Sequence, residues 1–232
     1  MSDAPGSTGT RGATALTIAG SDPTGGAGIQ VDLQAFAARG VRGGAVITAI
    51  TVQSGGTVSR VDPVEATLVG EQVDAALAEL APSAVKCGML ATAAAVRAVH
   101  RVLERFPDIP LVVDPVLHSG NGTPLMDDKG AWALCDVLLP RTDLLTPNAA
   151  EASVLFDGAQ FHVFEAPRVD LGRTHGTGCL LSALITAELA RGNPLVLAVL
   201  QAKSLLLSAL EHGSTTPTGL RAPDILRLRD ET

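Results

Sequence analysis

The sequence predicts an α/β fold in three layers, with a mainly parallel central sheet flanked by helices. Short apolar runs alternate with segments of helical spacing along most of the 232 residues. The runs are continuously apolar, which is typical of parallel strands buried on both faces. Glycine-rich loops follow several of these runs. Ligands of such sheets bind at the carboxyl ends of the strands, so we expect these loops to form a site.

The predicted elements follow one another in a regular order. The first strand runs from Ala13 to Gly20 and leads into the loop SDPTGGAG. A helix follows up to Gly40, because Ile29 and Phe36 are apolar at helical spacing. The remaining predicted strands cover residues 44–53, 83–90, 109–116 and 143–148. The remaining predicted helices cover residues 71–80, 92–106 and 130–139. Thr92 is the expected N-cap of the helix over 92–106.

Composition excludes several classes of function. Aromatic residues make up 3% of the chain and tyrosine is absent, so platforms for stacking nucleic-acid bases are not expected. The net charge is −7 and no basic tract occurs, which also argues against a nucleic-acid partner. No apolar stretch approaches the ~18 residues of a membrane span, so we expect no membrane partner.

The cysteines and the N-terminus indicate a location and a domain organisation. Cys87, Cys135 and Cys179 are an odd, widely spaced set without a CxxC pair. This argues against a disulfide framework or a zinc site and favours a reducing, cytoplasmic location. Residues 1–12 are polar and are expected to form a disordered tail. Residues 13–232 are expected to form a single domain.

Two loops at the expected ligand edge are candidates for binding a small molecule. The loop after the first strand lacks both the Walker A lysine and the GxGxxG spacing, so it is either a simple turn or a close backbone approach to a ligand. Asp32, one turn into the next helix, is either a solvated surface group or a side chain that points back to the ligand. Gln53, after the second strand, is either a turn cap or a reader of a heteroaromatic edge.

Two carboxylates lie at the ends of later strands. Asp114 is in VVDPVL and Glu151 is in TPNAAE. Either acid alone could cap a helix. Together at one sheet edge they predict a Mg²⁺–phosphate site, because Mg²⁺ prefers oxygen ligands and bridges to phosphates.

The segment THGTGCLLSALI predicts an anion site at the start of a helix. The backbone N–H groups of Gly176, Thr177 and Gly178 would be free there and aligned with the positive end of the helix dipole. The same field would lower the pKa of the Cys179 thiol. We therefore expect Cys179 to be a base or a hydrogen-bond acceptor for a substrate hydroxyl. Cys87 and Cys135 lie in apolar patterns and are expected to pack in the core.

Six motifs together carry a family resemblance. They are LTIAGSDPTGGAGIQVDLQAF, VITAITVQ, VKCGML, VVDPV, LLTPNAAEA and THGTGCLLSALI, between Ala15 and about Leu210. In content and order they resemble the hydroxymethylpyrimidine/phosphomethylpyrimidine kinases of thiamin biosynthesis, of the ribokinase-like superfamily. The resemblance implies a ribokinase-like fold, ATP and Mg²⁺, and a homodimer. It also implies phosphorylation of 4-amino-5-hydroxymethyl-2-methylpyrimidine and then of its monophosphate.

The resemblance also assigns roles to individual residues. It implies a pyrimidine pocket formed by Gly20, Asp32, Gln53 and Met89. It implies an anion hole at Gly176, Thr177 and Gly178, followed by a catalytic base at Cys179. It also implies that the Mg–ATP side is formed by Asp114, Asn148 and Glu151. Two alternatives stay open. The first is a pyridoxal kinase activity, against which Cys179 and Gln53 favour the pyrimidine. The second is a pyrimidine-binding regulatory module without turnover.

The sequence departs from the family pattern in two places. Gly120 and Asn121 stand where family members carry a lysine and a serine. Only 22 residues separate Glu151 from Thr174, where the family has several tens more, including a helix and a strand that help to hold the nucleotide. The intervening VLFDG and FHVFEAPRV are expected to form a hairpin. We therefore expect a break in the chain, with residues missing between about Ala152 and Val154.

Overall fold

A computed structural model describes residues 12–155 and 174–229, and its centre is a six-stranded sheet. The strands are β1 (Thr14–Ser21), β2 (Arg42–Ser54), β3 (Thr57–Pro63), β4 (Ala84–Cys87), β5 (Leu111–Val113) and β6 (Leu144–Leu145). Their order is β3-β2-β1-β4-β5-β6. All neighbours are parallel except β2 and β3, which are antiparallel. The predicted mainly parallel sheet is confirmed.

Helices cover both faces of the sheet and make the fold three-layered. The helices are α1 (Gly28–Ala38), α2 (Ala66–Leu80), α3 (Ala93–Leu103), α4 (Asp128–Ala133), α5 (Ala149–Leu155), α6 (Thr177–Ala190) and α7 (Leu195–Glu211). One core cluster contains residues of α1, α6 and α7, and a second contains residues of α2, α3 and α4. A small hairpin follows, formed by β7 (Ser214–Thr215) and β8 (Arg221–Ala222). Among the described residues, no helix has both the length and the apolar composition to cross a bilayer.

Alternation along the central strands divides the core between the two faces. Ala15 and Ala84 face α1 and α6, where small side chains let the helices approach the sheet. Leu16, Ile18 and Val85 face the opposite helices. All five are fully buried. Burying a large aliphatic side chain stabilises the fold by about 1.5–3 kcal/mol, so both faces contribute and the strands appear as unbroken apolar runs.

Two local expectations have clear outcomes. Thr92 caps α3, since its Oγ1 accepts a hydrogen bond from the N–H of Ala95 at 3.2 Å. Strand β3 was not predicted. Its residues are mostly exposed and polar, and it pairs with β2 through a turn at Gly55 and Gly56, which both have positive φ. An exposed edge strand of this kind lacks the apolar pattern that identifies the buried strands.

The predicted break near residue 153 falls within a helix, and the expectation that residues are missing there stays a prediction. Helix α5 runs without interruption to Leu155. The N–H of Ala152 donates to the carbonyl of Asn148 at 2.9 Å, and Oγ of Ser153 donates to the carbonyl of Ala149 at 2.9 Å. The first two residues of the predicted hairpin are therefore helical. The remainder of that hairpin, and the tail up to residue 11, lie outside the described residues.

Candidate active site

A cavity of about 640 Å³ opens at the carboxyl ends of the parallel strands. Its volume is in the range of small-molecule sites. The predicted site residues that line it are Gly20, Gln53, Met89, Asp114, Asn148, Glu151, Gly176, Thr177, Gly178 and Cys179. The structure thus brings these ten residues together, and their individual roles remain predictions.

Asp32 is the exception, and the expectation that it touches the ligand is corrected. Its side chain is fully buried and does not line the cavity. Oγ1 of Thr17 donates to Oδ2 of Asp32 at 2.6 Å, and Nζ of Lys86 contacts Oδ1. Asp32 lies at α1 behind the cavity wall, so its carboxylate acts on the site through its charge and through Lys86 rather than by touching a ligand.

The loops before α1 and α6 pack backbone against backbone. Gly176 is the N-cap of α6 with φ 71°, and it makes no side-chain cap. A Cβ atom at this position would lie 1.8 Å from the carbonyl oxygen of Gly26. Only glycine permits both the conformation and the contact. The N–H groups of the first turn, Thr177 to Cys179, have no intrahelical partner, which is the arrangement expected of an anion site.

The electrostatics of Cys179 differ from the prediction. Burial raises the pKa of its thiol to about 12, and the nearby carboxylates of Asp114 and Asp32 add to this effect. The ammonium of Lys86 and a hydrogen bond from the N–H of Gly28 oppose it. The expectation of a lowered thiol pKa is wrong, because burial and the two neighbouring carboxylates outweigh the effects of Lys86 and of the Gly28 N–H. Cys179 is a neutral thiol at neutral pH.

Two carboxylates, Asp114 and Glu151, also line the cavity. The pKa of Asp114 is raised to about 6: burial raises it most, Lys86 lowers it, and the charge of Glu151 raises it. Oγ of Ser182 donates to Oδ2 of Asp114 at 3.3 Å. A divalent cation would relieve the repulsion between the two acids, so this pair fits Mg²⁺, which takes one or two carboxylates together with phosphate oxygens. The described residues contain no cluster of three or more acidic, histidine or cysteine side chains suited to a metal ion.

Glu151 also caps its own helix. The N–H of Asn148 donates to Oε2 of Glu151 at 2.9 Å, and the N–H of Glu151 donates to Oδ1 of Asn148 at 3.0 Å. This reciprocal pair is a capping box. The helix-cap interpretation and the metal interpretation of Glu151 are therefore compatible, because the cap holds the carboxylate at the cavity.

The predicted pyrimidine pocket is narrow. A Cβ atom at Gly20 would lie 3.0 Å from Sδ of Met89, so a larger residue would push into that side chain. Oγ1 of Thr48 donates to the carbonyl of Met89 at 2.5 Å and fixes its backbone. Gln53 lies at an irregularity in the β2–β3 pairing. Within the described part of the chain its side-chain amide has no protein partner, which leaves it available to a ligand.

Among the cavity residues that the sequence analysis does not single out are His175, Asp22 and Lys86. His175 Nε2 lies 3.4 Å from Oδ2 of Asp22, and this contact ties the loop before α6 to the loop before α1. Burial alone would raise the pKa of Asp22, but hydrogen bonds from His175 and Thr24 hold it below its ordinary value. The third residue is Lys86 in VKCGML. A lysine inside an apolar strand was the signal that could have identified it.

The family model for phosphomethylpyrimidine kinase matches residues 22–160 and 153–222. A hydroxymethylpyrimidine/phosphomethylpyrimidine kinase of Rhizobium meliloti is 37% identical, covering 89% of this chain and 94% of its own. The corresponding enzyme of Staphylococcus aureus strain Mu50 is 34% identical, covering 85% and 88%. Among solved structures, the ADP complex of Bacillus subtilis pyridoxal kinase has a TM-score of 0.80 at 28% identity, covering 93% of this chain and 98% of that one.

The comparisons locate the shortened segment. The alignment with the Staphylococcus aureus enzyme extends over 242 residues, more than the 232 of this chain, although it covers 85% of this chain. That relative therefore carries residues with no counterpart here. The two stretches matched by the family model meet at residues 153–160. The chain is thus shorter than its relatives close to the position where missing residues were expected.

Proposed function

Because the chain belongs to the phosphomethylpyrimidine kinase family, we propose that it transfers the γ-phosphoryl group of ATP to 4-amino-5-hydroxymethyl-2-methylpyrimidine and then to its monophosphate, in thiamin diphosphate biosynthesis. The observation that supports this most is one cavity that holds Gln53 and Met89, the uncapped start of α6, and the carboxylates of Asp114 and Glu151. These are the parts that phosphoryl transfer to a small heteroaromatic alcohol requires.

Binding and orientation come first in the proposed mechanism. Gln53 reads the polar edge of the pyrimidine while Gly20 and Met89 confine its ring. The free N–H groups of Gly176, Thr177 and Gly178 receive the negative charge that develops on the transferring group. Such transition states are loose, so the protein acts mainly by positioning and by electrostatic stabilisation.

Cys179 has a modified role in this mechanism. It occupies the position of the catalytic base in the resemblance, but a thiol with a pKa of about 12 is protonated in the resting enzyme. We therefore assign to it the orientation of the substrate hydroxyl by a hydrogen bond, rather than a preformed thiolate. A loose transition state requires little proton removal before the new P–O bond forms, so an orienting thiol is sufficient.

Asp114 and Glu151 would hold Mg²⁺, with Asn148 on the same nucleotide side. When bound, this ion neutralises phosphate charge and orients the ATP phosphates. The protein's own contribution is to keep two carboxylates at one wall: Ser182 donates to Asp114, and the capping box fixes Glu151. A homodimer and a cytoplasmic location are further parts of the proposal. The location is supported by three cysteines that are not disulfide-bonded.

Product analysis tests the proposal. The chain is incubated with ATP, Mg²⁺ and the hydroxymethylpyrimidine, and the products are followed by mass spectrometry. We expect the monophosphate to appear first and the diphosphate second. Pyridoxal is tested in parallel, because a pyridoxal kinase of Staphylococcus aureus solved with pyridoxal has a TM-score of 0.76 at 27% identity. Phosphorylation of pyridoxal alone would contradict the pyrimidine assignment.

A regulatory pyrimidine-binding module is the second candidate function. It is favoured by one specific observation: α5 is continuous in a segment that is shorter than in the relatives, so part of the expected nucleotide side has no counterpart here. The two candidates differ in ATP turnover, which a binding module lacks. Pyrimidine binding without any phosphorylated product would establish the second candidate.

A further inference from the structure

Lys86 carries the one lysine or arginine side chain that lines the cavity among the described residues. It lies in the middle of β4, and its side chain is fully buried. An ammonium in such surroundings is costly unless it is paired and hydrogen-bonded. Burial alone would lower the pKa of Lys86, but the adjacent carboxylate of Asp32 raises it above its ordinary value. Lys86 is therefore a positive charge at the floor of the cavity.

Lys86 ties four elements of the fold to one point. Its Nζ contacts Oδ1 of Asp32 on α1 and donates to the carbonyl oxygen of Cys179 on α6 at 3.1 Å. Asp32 is held from β1 by Oγ1 of Thr17. Oγ of Ser182 also lies 3.1 Å from the carbonyl oxygen of Cys179. The first turn of α6 is thus held in place by the ammonium group of Lys86.

Helix stability does not account for this arrangement. A cation near a helix N-terminus is electrostatically unfavourable for the helix. A buried ion pair is also often no more stabilising than apolar residues of similar volume. The charge does have an effect on the cavity, since Lys86 opposes the rise in the pKa of both Cys179 and Asp114. Its field therefore reaches the groups around the expected reacting atoms.

We propose that Lys86, held by Asp32, is a positioning residue for phosphoryl transfer. It fixes the carbonyl of Cys179, and with it the direction of the N–H groups in the first turn of α6. It also places a positive charge beneath the point where negative charge develops on the transferring group. This inference rests on the proposed function, because the charge has a catalytic use only if a phosphoryl group is transferred at that helix start.

The test compares the variant Lys86→Met with the double variant Asp32→Leu/Lys86→Met. The single variant leaves Asp32 as an unpaired buried charge, so its Tm should fall by about 6–20 °C. The double variant removes both charges, and its Tm should return close to that of the wild type. We expect its kcat to remain lower by about tenfold to a hundredfold, with KM for the pyrimidine unchanged. A double variant with wild-type kcat would show that the pair is merely structural.

The chain offers a matched control at the far end of the same helices. Nε of Arg39 lies 2.7 Å from Oε1 of Glu188, and both side chains are buried. Arg39 is the C-cap residue of α1 and Glu188 lies near the end of α6, and neither residue lines the cavity. The double variant Arg39→Met/Glu188→Leu should change Tm and leave kcat unchanged. An equal loss of kcat in this control would overturn the proposal, because any buried pair between the two helices would then have the same effect.

Binding of inorganic phosphate separates this inference from the proposed function. Calorimetry with phosphate should show binding to the wild type, at least threefold weaker binding to Asp32→Leu/Lys86→Met, and no change in the Arg39/Glu188 control. If the phosphate affinities differ in this way but the protein does not turn over ATP, only the proposed function is contradicted and the role of Lys86 in binding phosphate stands. Equal phosphate affinity in the wild type and in Asp32→Leu/Lys86→Met would overturn the role of Lys86, whether or not the protein turns over ATP.

Discussion

The two sides of the cavity are built from very different amounts of secondary structure. The side assigned to the pyrimidine, here called the pyrimidine side, is formed by β1, β2 and β4, and the first two strands have 8 and 13 residues. The side with the two carboxylates, here called the metal side, is formed by β5, β6 and α5, with 3, 2 and 7 residues. The segment that is short relative to the relatives adjoins the metal side.

Different forces fix the two sides. On the pyrimidine side, buried packing and close backbone contacts set the positions of the loops. On the metal side, a single capping box sets the position of Glu151, and a cap of this kind stabilises by about 0.5–2 kcal/mol. Substitutions on the pyrimidine side should therefore mostly lower the free energy of unfolding or weaken ligand binding. Substitutions on the metal side should lower turnover and leave the free energy of unfolding unchanged or higher.

The largest expected effect is at Gly176, where the two glycine-rich loops meet. Gly176→Ala places a Cβ atom 1.8 Å from the carbonyl oxygen of Gly26, so the loops must separate. We expect a loss of more than about 4 kcal/mol in the free energy of unfolding, measured with urea. Gly192→Ala is the matched control at the other end of α6. Gly192 also has positive φ, but nothing lies near its Cβ position, so the cost should be about 1–2 kcal/mol. Equal costs would contradict the close approach.

Cys179→Ala should lower kcat by about a hundredfold with little change in stability. The reason is that the variant loses the group that orients the substrate hydroxyl. A full general base would instead contribute up to about 10⁴-fold. Cys135→Ala is the control, since Cys135 does not line the cavity. Near-normal turnover in Cys179→Ala would remove the thiol from the mechanism.

Asp114→Asn should increase stability while abolishing turnover. The folded-state pKa of Asp114, about 6, lies above its ordinary value of 3.8, so the folded protein binds the proton more tightly. In the metal-free wild type, the contribution of Asp114 to the free energy of unfolding is fully present below about pH 4. This contribution is lost as the pH rises through 6. The variant should therefore be more stable by about 2–3 kcal/mol at pH 8, with the difference vanishing near pH 4. A difference independent of pH would contradict the assignment.

Gln53→Leu should weaken binding of the hydroxymethylpyrimidine by about 1–3 kcal/mol, measured by calorimetry. The substitution leaves polar atoms of the ligand without a partner. The thermal midpoint should stay near that of the wild type, because the amide has no partner within the described part of the chain. Unchanged affinity would place Gln53 outside the pocket.

The same contrast explains what could be predicted from the sequence. The buried strands β1, β4 and β5 are apolar runs, and parallel topology brings the loops that follow them together, so most of the cavity could be predicted. Lys86 and Asp32 cannot be paired from the sequence, because they are 54 positions apart and each belongs to a separate local pattern. The sequence predicts the wrong direction for the pKa of Cys179, because the helix field is a local property, whereas burial and neighbouring carboxylates depend on tertiary structure.

The shortened segment after Glu151 could be located from the sequence but not explained. The spacing of the motifs shows that the chain is short for its family, and the two stretches matched by the family model meet at residues 153–160. Spacing alone does not distinguish residues that are missing from a shorter loop or helix connection. Helix α5 covers residues 149–155, so the expected break there stays a prediction.

ADP release with and without the hydroxymethylpyrimidine, at saturating ATP and Mg²⁺, tests most directly whether the shortened metal side still supports catalysis. The account predicts release that depends on the pyrimidine, saturates with its concentration and disappears in Asp114→Asn. No pyrimidine-dependent ADP release from a folded wild-type chain that binds the pyrimidine would contradict the kinase assignment and leave a binding module.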